Sequence, residues 1–442
     1  MKVETIATLA LTVQRWGLYA LVLVLPLSAY WRLSQPIVPE IHPLYSTLGL
    51  YLTDVVVGVV LLATFIANPG RGGQGRWTLP LMGLVALALL TVPLALSPPL
   101  ALFTASQWVL AVALYVVLSQ SDVPVPRIVG LFLMGLGFQV LVGLGQVVRQ
   151  GPLGFPGEMA LASGQMGASI IEVEGARWLR AYGLTFHPNV LGGFLSAGLL
   201  LGLPLLERLW ARCLWWLLWL GLLLTFSRSA WVATALALPL TVGWLVWQRQ
   251  PLRRALAQAF IGVGAVIVAG ALLWPEQVAT RWQPLIEVLQ PGAPASGGTV
   301  VFSAEQTSLD ARVAMNRLAR EVALQRPFTG IGAGNFPLAM WSSTPDVPPQ
   351  FVHNVPLLLA AEVGVLAGAI WLGMAVAALW HLARRRGRLG QWEVVALCAW
   401  LALFVVGLFD SYPWSLNAGR LLTVLVLALS RKDDSPQEEL SP

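Results

Sequence analysis

Long apolar runs follow one another along most of the chain, and each is about the length of a membrane-spanning helix. A helix needs roughly 20 mainly apolar residues to cross a bilayer. The runs predict about twelve spans, near residues 12–30, 48–67, 79–96, 100–119, 128–148, 188–206, 214–226, 230–247, 255–274, 354–380, 392–409 and 413–430. Backbone groups in lipid must bond within their own segment, and the runs lack the alternating pattern of barrel strands. We therefore expect an all-α, polytopic transmembrane bundle.

A long polar segment interrupts this pattern before the last three apolar runs. The expected divisions are spans within 1–274, an outer segment over 275–352, spans within 353–430 and a cytoplasmic tail over 431–442. Thr307 and Asp310 have the spacing of a helix N-cap box, and Arg326-Pro327 provides a helix stop. The outer segment is therefore predicted to contain an amphipathic helix at the membrane surface.

The two faces of that helix differ in character. Its apolar face is formed by Ala311, Met315, Leu318 and Val322. Arg312, Asn316 and Arg320 recur at four-residue spacing on the other side. We expect these polar residues to converge on one anionic group.

Clusters of basic residues predict the orientation of the bundle. The clusters on one side of the predicted spans are Arg71/Arg76, Arg208/Arg212, Arg249/Arg253/Arg254, Arg384/Arg385/Arg386/Arg388 and Arg431/Lys432. By the positive-inside rule this side is cytoplasmic, and both termini lie there with it. The first span has no convincing cleavage site and is expected to be retained. The outer side receives residues 151–186, the turn at Arg228, the long polar segment and the turn at Asp410.

Composition supports a membrane protein and narrows its partners. Hydrophobic residues make up 57% of the chain and charged residues 11%, which excludes an ordinary soluble domain. The net charge of +6 comes from short clusters between apolar runs. This distribution favours membrane lipids, and not nucleic acid, as the partner of the basic residues.

Arginines on the outer side are the first candidates for binding. Arg228 lies in the tight link 224–230 between two apolar runs. The planar guanidinium fork suits phosphate or pyrophosphate, and Arg180 and Arg312 are predicted on the same face. We interpret the three as candidate pyrophosphate ligands. For Arg228 alone, snorkelling to the interface remains an equal alternative.

His353 is the candidate general base. It follows a proline-rich stretch and enters an apolar run, and imidazole takes protons from hydroxyls near neutral pH. An interfacial histidine that caps a helix is the alternative. His187 precedes Pro188, so a capping role suits it at least as well as catalysis. Glu362, about two and a half helical turns beyond His353, is a candidate for orienting it through intermediates.

Several motifs are absent from the sequence, and no cofactor or metal is predicted. There is no HExxH, no zinc-type Cys/His cluster, no P-loop and no outer Asp-x-Asp pair. We therefore expect a metal-independent reaction. The glycine-rich stretch 330–336 looks like a phosphate loop but follows no strand, so we interpret it as a flexible turn.

Four stretches, in this order, resemble the signatures of a known family. They are Arg180-Ala181-Tyr182-Gly183-Leu184-Thr185-Phe186-His187-Pro188-Asn189, Leu224-Thr225-Phe226-Ser227-Arg228, Pro327-Phe328-Thr329-Gly330-Ile331-Gly332-Ala333-Gly334-Asn335-Phe336, and His353-Asn354 with Glu362-Val363-Gly364. The family is the O-antigen ligase and polymerase superfamily of bacterial GT-C membrane glycosyltransferases. The resemblance covers roughly residues 180–364.

The resemblance implies transfer of a glycan from an undecaprenyl-pyrophosphate carrier to an acceptor hydroxyl, with inversion, at the outer face of the bacterial inner membrane. His353 would be the general base, and Arg228 and Arg312 would bind the pyrophosphate, with Arg180 as a supporting contact. Charge stabilisation of a departing pyrophosphate agrees with that assignment. The further supporting positions are His187, Asn189, Asn354, Glu362 and Arg320.

Two alternatives stay open at this point. The acceptor is either lipid A core, as in a ligase, or another lipid-linked glycan, as in a polymerase. A secondary transporter would also have about twelve spans and the carboxylates of Asp54, Glu362 and Asp410 within or beside them. Such a transporter should show paired broken helices in its two halves, which the sequence does not indicate.

Overall fold

The computed structural model describes residues 2–67, 75–165, 167–173, 175–247, 253–280, 299–344, 347–385 and 389–431. The protein is mostly helical, at 71%, which confirms the predicted helical architecture. The described residues also form two small antiparallel sheets of two strands each, which the apolar pattern did not predict.

The first half of the chain contains helices α1 to α7 and all four described strands. Their bounds are α1 (Lys2–Val24), β1 (Tyr30–Arg32), α2 (Pro43–Ser46), β2 (Gly49–Tyr51), α3 (Leu52–Ala67), α4 (Thr78–Leu90), α5 (Pro98–Gln120), α6 (Val125–Arg149), β3 (Ile170–Val173), β4 (Ala176–Leu179) and α7 (Pro188–Leu201). Strand β1 pairs with β2, and β3 pairs with β4.

Among the described residues of the second half, the regular elements are all helices. The helices are α8 (Leu209–Thr225), α9 (Arg228–Trp247), α10 (Arg253–Leu273), α11 (Thr299–Gln325), α12 (Phe336–Ser343), α13 (Val355–Glu362), α14 (Val365–Arg384), α15 (Gln391–Gly407), α16 (Tyr412–Ser415) and α17 (Asn417–Leu429). Residues 275–280 are also helical.

Within the described residues, six helices are long and apolar enough to cross a membrane. They are Thr5–Val24, Pro98–Gln120, Val125–Arg149, Arg228–Trp247, Leu256–Leu273 and Val365–Arg384. Six shorter apolar helices fall in the other predicted windows, at Leu52–Ala67, Thr78–Leu94, Pro188–Leu201, Leu209–Thr225, Gln391–Gly407 and Asn417–Leu429. The protein is thus a multi-pass membrane protein, while the total of about twelve spans stays a prediction.

The core of the bundle is centred on buried tryptophans. Trp108 of α5 stacks on Trp414 of α16 with ring centroids 4.6 Å apart, and Trp371 of α14 meets Trp400 of α15 at 5.0 Å. Helix α15 packs against both α7 and α9. Short α16 is thereby held deep in the molecule, directly after Asp410.

The predicted tenth span is broken in the structure. Helix α13 ends at Glu362, and Gly364 adopts a φ of 105°, in the left-handed region that favours glycine. A Cβ on Gly364 would lie 2.7 Å from the Phe328 carbonyl oxygen, and the Val365 amide donates to the Pro327 carbonyl. The apolar window continues through this break, because hydrophobicity alone does not indicate where the backbone changes direction.

The glycine-rich stretch 330–336 fills that break. Ile331 and Gly332 donate to the carbonyls of Ala361 and Glu362, and residues 331–336 are buried. From the other side, the Leu96 amide donates to the Ile331 carbonyl, and the Ser97 amide donates to Asn335 Oδ1 at 2.7 Å. The interpretation as a flexible turn is therefore wrong, because this stretch is a packed junction between the two halves of the chain.

The amphipathic helix of the outer segment is present as α11 but begins earlier than predicted. It starts at Thr299, because residues 299–306 contain neither proline nor glycine, so Thr307 lies inside the helix. It ends at Gln325, before Pro327 as predicted. Met315 and Leu318 are buried, whereas Arg317 and Arg320 are exposed.

Candidate active site

The link between α8 and α9 sets the position of Arg228. Helix α8 ends at Thr225 and is capped by Phe226, which has a φ of 46°. Phe226 is one of two described non-glycine residues with a positive φ. Bulky side chains rarely adopt this conformation, and such strain concentrates at functional sites. The chain reverses here, so Arg228 becomes the first residue of α9.

Arg180 ties three segments together. Its Nε donates to the Thr225 carbonyl at 2.7 Å, Nη1 donates to Ser169 Oγ at 2.8 Å, and Nη2 donates to Asn189 Oδ1 at 2.6 Å. The residue is only 7% exposed. Arg180 therefore organises the wall of the site more than it reaches into it.

His187 caps helix α7. Its Nδ1 accepts the amide hydrogen of Asn189 at 3.1 Å, as the sequence pattern with Pro188 allowed. Because Nδ1 is an acceptor, the neutral ring carries its proton on Nε2. His187 is thus suited to donate a hydrogen bond.

A carboxylate stands beside His353. Asp410 Oδ1 lies 3.7 Å from His353 Nδ1, accepts from the Ser411 amide at 2.9 Å, and its Oδ2 accepts from Asn189 Nδ2 at 2.8 Å. A chain of polar contacts therefore runs from Arg180 through Asn189 and Asp410 to His353. Nδ1 of His353 is buried while 22% of its side chain is exposed, so another edge of the ring faces out.

Asp410 is held in its charged form. Burial alone would raise the pKa of its carboxyl group, but the proximity and charge of His353, the charge of His187 and the amide of Asn189 outweigh burial. The resulting pKa is about 2, below the usual 3.8. A negative charge is therefore maintained beside the imidazole across the physiological range.

Arg180, His187, Asn189, Arg228 and His353 line one cavity of about 660 Å³. The described residues that line it are Ala168, Ser169, Ile170, Ile171, Glu172, Arg180, His187, Asn189, Phe226, Arg228, Ser229, Val232, Thr280, Ala311, Arg312, Met315, Pro348, Gln350, His353 and Phe409. Arg180, Arg228, Arg312 and His353 come from four separated parts of the chain. The structure thus brings together the arginines and the histidine that the sequence singled out.

The cavity is suited to an anion. Three arginines line it, and Arg228 and Arg312 are both half-buried. Helices α7, α9 and α13 begin beside the cavity, at Pro188, Arg228 and Val355. Helix N-termini carry partial positive charge and attract phosphate groups.

Three supporting residues of the sequence analysis lie elsewhere. Asn354 caps α13, with its Oδ1 accepting from the Leu357 amide at 3.0 Å. Glu362 is fully buried and accepts from the Phe336 amide and from Trp414 Nε1, at 3.1 and 3.2 Å. Neither they nor exposed Arg320 are among the described residues that line the cavity. Arg320 therefore does not converge with Arg312 as the spacing indicated.

The sequence did not predict that Asp410 is the carboxylate beside His353. The order of the apolar runs predicts Asp410 on the outer side, but the orienting role was predicted for Glu362, which follows His353 on the same apolar run. The α13–α14 break and the junction with stretch 330–336 direct Glu362 away from His353. The only available signal was the Asp410-Ser411 turn between two apolar runs, and nothing in the spacing paired it with His353.

The buried carboxylate of Asp54 is hydrogen-bonded by neutral side chains. Asp54 accepts from Gln107 Nε2 at 2.9 Å and from Asn417 Nδ2 at 3.0 Å. Among the residues that the structure describes, no three His, Cys, Asp or Glu side chains come together to hold a metal ion. A metal-independent reaction therefore stays a prediction from the sequence.

The comparison with protein families agrees with the sequence resemblance. The model of the O-antigen ligase family matches residues 213–372, which include Arg228, Arg312 and His353. No curated protein matches the chain. Over residues 213–372 the chain therefore matches the O-antigen ligase family, and this match supports the resemblance to the O-antigen ligase and polymerase superfamily.

Proposed function

We propose that this protein is a membrane glycosyltransferase that moves a glycan from undecaprenyl pyrophosphate to an acceptor hydroxyl. The observation that carries the proposal is the single cavity that collects Arg180, Arg228, Arg312 and His353. A pyrophosphate needs a concentration of positive charge, and a glycosyl acceptor needs a base. The cavity offers both within one space.

His353 is proposed to act as the general base. Its buried Nδ1 faces Asp410, so Nε2 is the nitrogen left to receive the proton of the acceptor hydroxyl. The acceptor oxygen then attacks the anomeric carbon while the bond from that carbon to the pyrophosphate oxygen breaks. A single displacement of this kind inverts the anomeric configuration.

The arginines are proposed to stabilise the leaving group. Negative charge builds up on the pyrophosphate as the glycosidic bond breaks, and Arg228 and Arg312 meet it at the cavity wall. The N-termini of α7 and α9 add their partial positive charge. Arg180, bound to Thr225, Ser169 and Asn189, fixes the geometry of this wall.

The roles of Asp410 and Asn189 follow from their contacts. Asp410 positions the His353 ring and stabilises the imidazolium that forms when the proton arrives, as a buried carboxylate does in other acid–base pairs. Asn189 connects that carboxylate to Arg180. Both are positioning residues, since neither is proposed to touch the reacting atoms.

The proposal is tested by glycan transfer from an undecaprenyl-pyrophosphate-linked donor with purified protein in detergent. His353→Ala should lower the turnover about 10²- to 10⁴-fold, the typical contribution of a general base. Arg228→Ala and Arg312→Ala should each lower it about 10²- to 10³-fold, as for other charge-stabilising donors.

Arg317→Ala is the matched control, because Arg317 is an exposed arginine on the same helix as Arg312 and pairs with Glu321. It should leave transfer unchanged. Full activity in His353→Ala and Arg228→Ala would remove the mechanism. Supplying core-lipid and lipid-linked glycan acceptors in parallel separates a ligase from a polymerase.

A further inference from the structure

Glu172 is a carboxylate in an otherwise cationic cavity. It lies on strand β3, and it is the one acidic side chain among the described residues that line the cavity. Arg180, Arg228 and Arg312 line the same cavity, and their guanidinium groups attract an anion. A carboxylate facing a pyrophosphate repels it, so Glu172 lowers affinity for that anion unless it binds a different part of the substrate.

A structural ion pair does not account for Glu172. In the β3–β4 hairpin its cross-strand partner is Arg177, and directly opposed residues project to the same face of a sheet. Arg177 instead donates to the carbonyls of Gly164 and Gln165, at 3.1 and 3.4 Å. The nearest cation on the hairpin is thus used to fix the neighbouring loop.

The hairpin holds Glu172 at a set distance from the cationic end of the cavity. Ser169, just before β3, accepts a hydrogen bond from Arg180. Glu172 is three residues further on, which along an extended strand is roughly 10 Å. Glu172 is thus separated from Ser169, the contact of Arg180, by about that length of strand. In the proposed binding mode, with the pyrophosphate at the arginines, this separation lets the carboxylate meet the attached sugars.

The chemistry of that part of the wall suits sugar hydroxyls. An ionised carboxylate only accepts hydrogen bonds, and hydroxyl groups donate to it strongly. Gln350 and Thr280 line the same cavity and offer neutral donors and acceptors. Phosphate oxygens have no proton to donate to Glu172, whereas every free sugar hydroxyl has one.

We propose that Glu172 binds hydroxyl groups of the glycan carried by the lipid pyrophosphate, and so selects the donor by its sugar. The inference rests on the proposed function, since it places the pyrophosphate at the arginines. Glu172 attracts the glycan and repels the anion. Its removal should therefore affect a lipid with a glycan and a lipid without one in opposite directions.

The test compares two ligands of the purified full-length protein. One is undecaprenyl pyrophosphate without sugar, and the other is undecaprenyl-pyrophosphate-linked glycan extracted from native membranes. Glu172→Ala should weaken binding of the glycan-bearing lipid about tenfold or more, as expected for lost hydrogen bonds to a charged group. Binding of the sugar-free lipid should stay equal or become tighter. Glu172→Gln should fall between wild type and Glu172→Ala for the glycan-bearing lipid.

Arg177→Gln is the matched control, because it changes the opposed position of the same hairpin and should leave both affinities unchanged. Equal losses for both lipids with Glu172→Ala, or no loss for either, would overturn the inference. A change confined to the KM of the acceptor in the transfer assay would also overturn it. If Arg228→Ala binds the sugar-free lipid as wild type does, the proposed function fails, whatever Glu172 does.

Discussion

Asp410 connects His353, the proposed general base, to the rest of the site through contacts with the His353 ring, Asn189 and the Ser411 amide. In the proposed mechanism its charge stabilises the imidazolium formed during transfer. At the same time it is buried, so its charge is stable only while those partners are in place. We therefore expect Asp410 to affect both the reaction and the folded state, and the two effects are measured separately.

Asp410→Asn should lower the turnover for glycan transfer at least tenfold, because the imidazolium loses its counter-charge while the side chain keeps its size. Transfer rates of the variant and of the wild type, measured on folded protein, check the expectation. A turnover equal to that of the wild type would contradict the positioning role of Asp410.

The same residue predicts an acid-dependent part of the stability. Its pKa is about 2 in the folded protein and 3.8 when unperturbed, so the folded state binds its proton less readily. The stabilisation is then fully present above pH 3.8 and is lost as the pH falls through about 2. The size is about 2 kcal/mol.

Unfolding in detergent, followed from pH 6 to pH 2, should show this contribution directly. Asp410→Asn should be less stable than wild type above pH 4, and the difference should shrink below that pH. A constant difference across the whole range would contradict the assigned charge. His353→Ala should reduce the pH dependence as well, because it removes a partner that lowers the pKa of Asp410.

Among the secondary-structure elements, short helix α16 depends on close contact with its neighbours. Tyr412, at its start, is fully buried, and its side chain occupies the space that a Cβ on Gly193 of α7 would need. Its backbone carbonyl lies in the same way against Gly419 of α17. Since Asp410 precedes Tyr412 by two residues, the packing of α16 also positions the carboxylate beside His353.

Gly193→Ala should therefore destabilise the protein by about 1 to 3 kcal/mol, the usual cost of overpacking, and lower transfer activity. The measurement is the Tm in detergent together with the transfer rate. Gly373→Ala is the control, because Gly373 is exposed on α14 with no atom near its missing Cβ. It should leave the Tm equal or slightly higher. Equal Tm values for the two variants would contradict the packing argument.

The elements show which features the sequence could predict. Every predicted apolar window contains a helix, because a hydrophobic run of that length has few other structures in lipid. The break at Gly364 was missed, since the run stays apolar through Val363 and Val365. The hairpin β3–β4 was also missed, because its strands of 4 residues are too short for a period-2 pattern to be read.

The candidate site could be predicted from the sequence only in part. Arg228 and His353 were identified from the motifs around them, and their chemistry is that of single residue types. Glu172 and Asp410 were not assigned roles in the cavity, because their importance depends on which helix ends meet. Contacts such as Asn189 with Asp410 join positions 221 residues apart, and periodicity has no information on such pairings.

For the molecule as a whole, orientation in the membrane is the next prediction to test. The end of the bundle that contains the cavity should face outward, with the two-stranded sheet β1–β2 on that side and the loop after α14 on the cytoplasmic side. In a protein lacking Cys213 and Cys398, Arg32→Cys should react with a membrane-impermeant maleimide in intact cells. Arg385→Cys should react only after permeabilisation; both arginines are exposed. The reverse labelling pattern would place the cavity on the cytoplasmic side.

The junction at stretch 330–336 limits how this protein can be divided into fragments. Asn335 and Ile331 are held by Ser97 and Leu96, which lie far outside residues 213–372, and Arg180, Asn189 and Asp410 lie outside that region too. A fragment cut to residues 213–372 would lose all of these contacts. Chimeras made to exchange glycan preference between relatives should therefore transplant the amino-terminal helices together with the domain, or exchange single wall residues only.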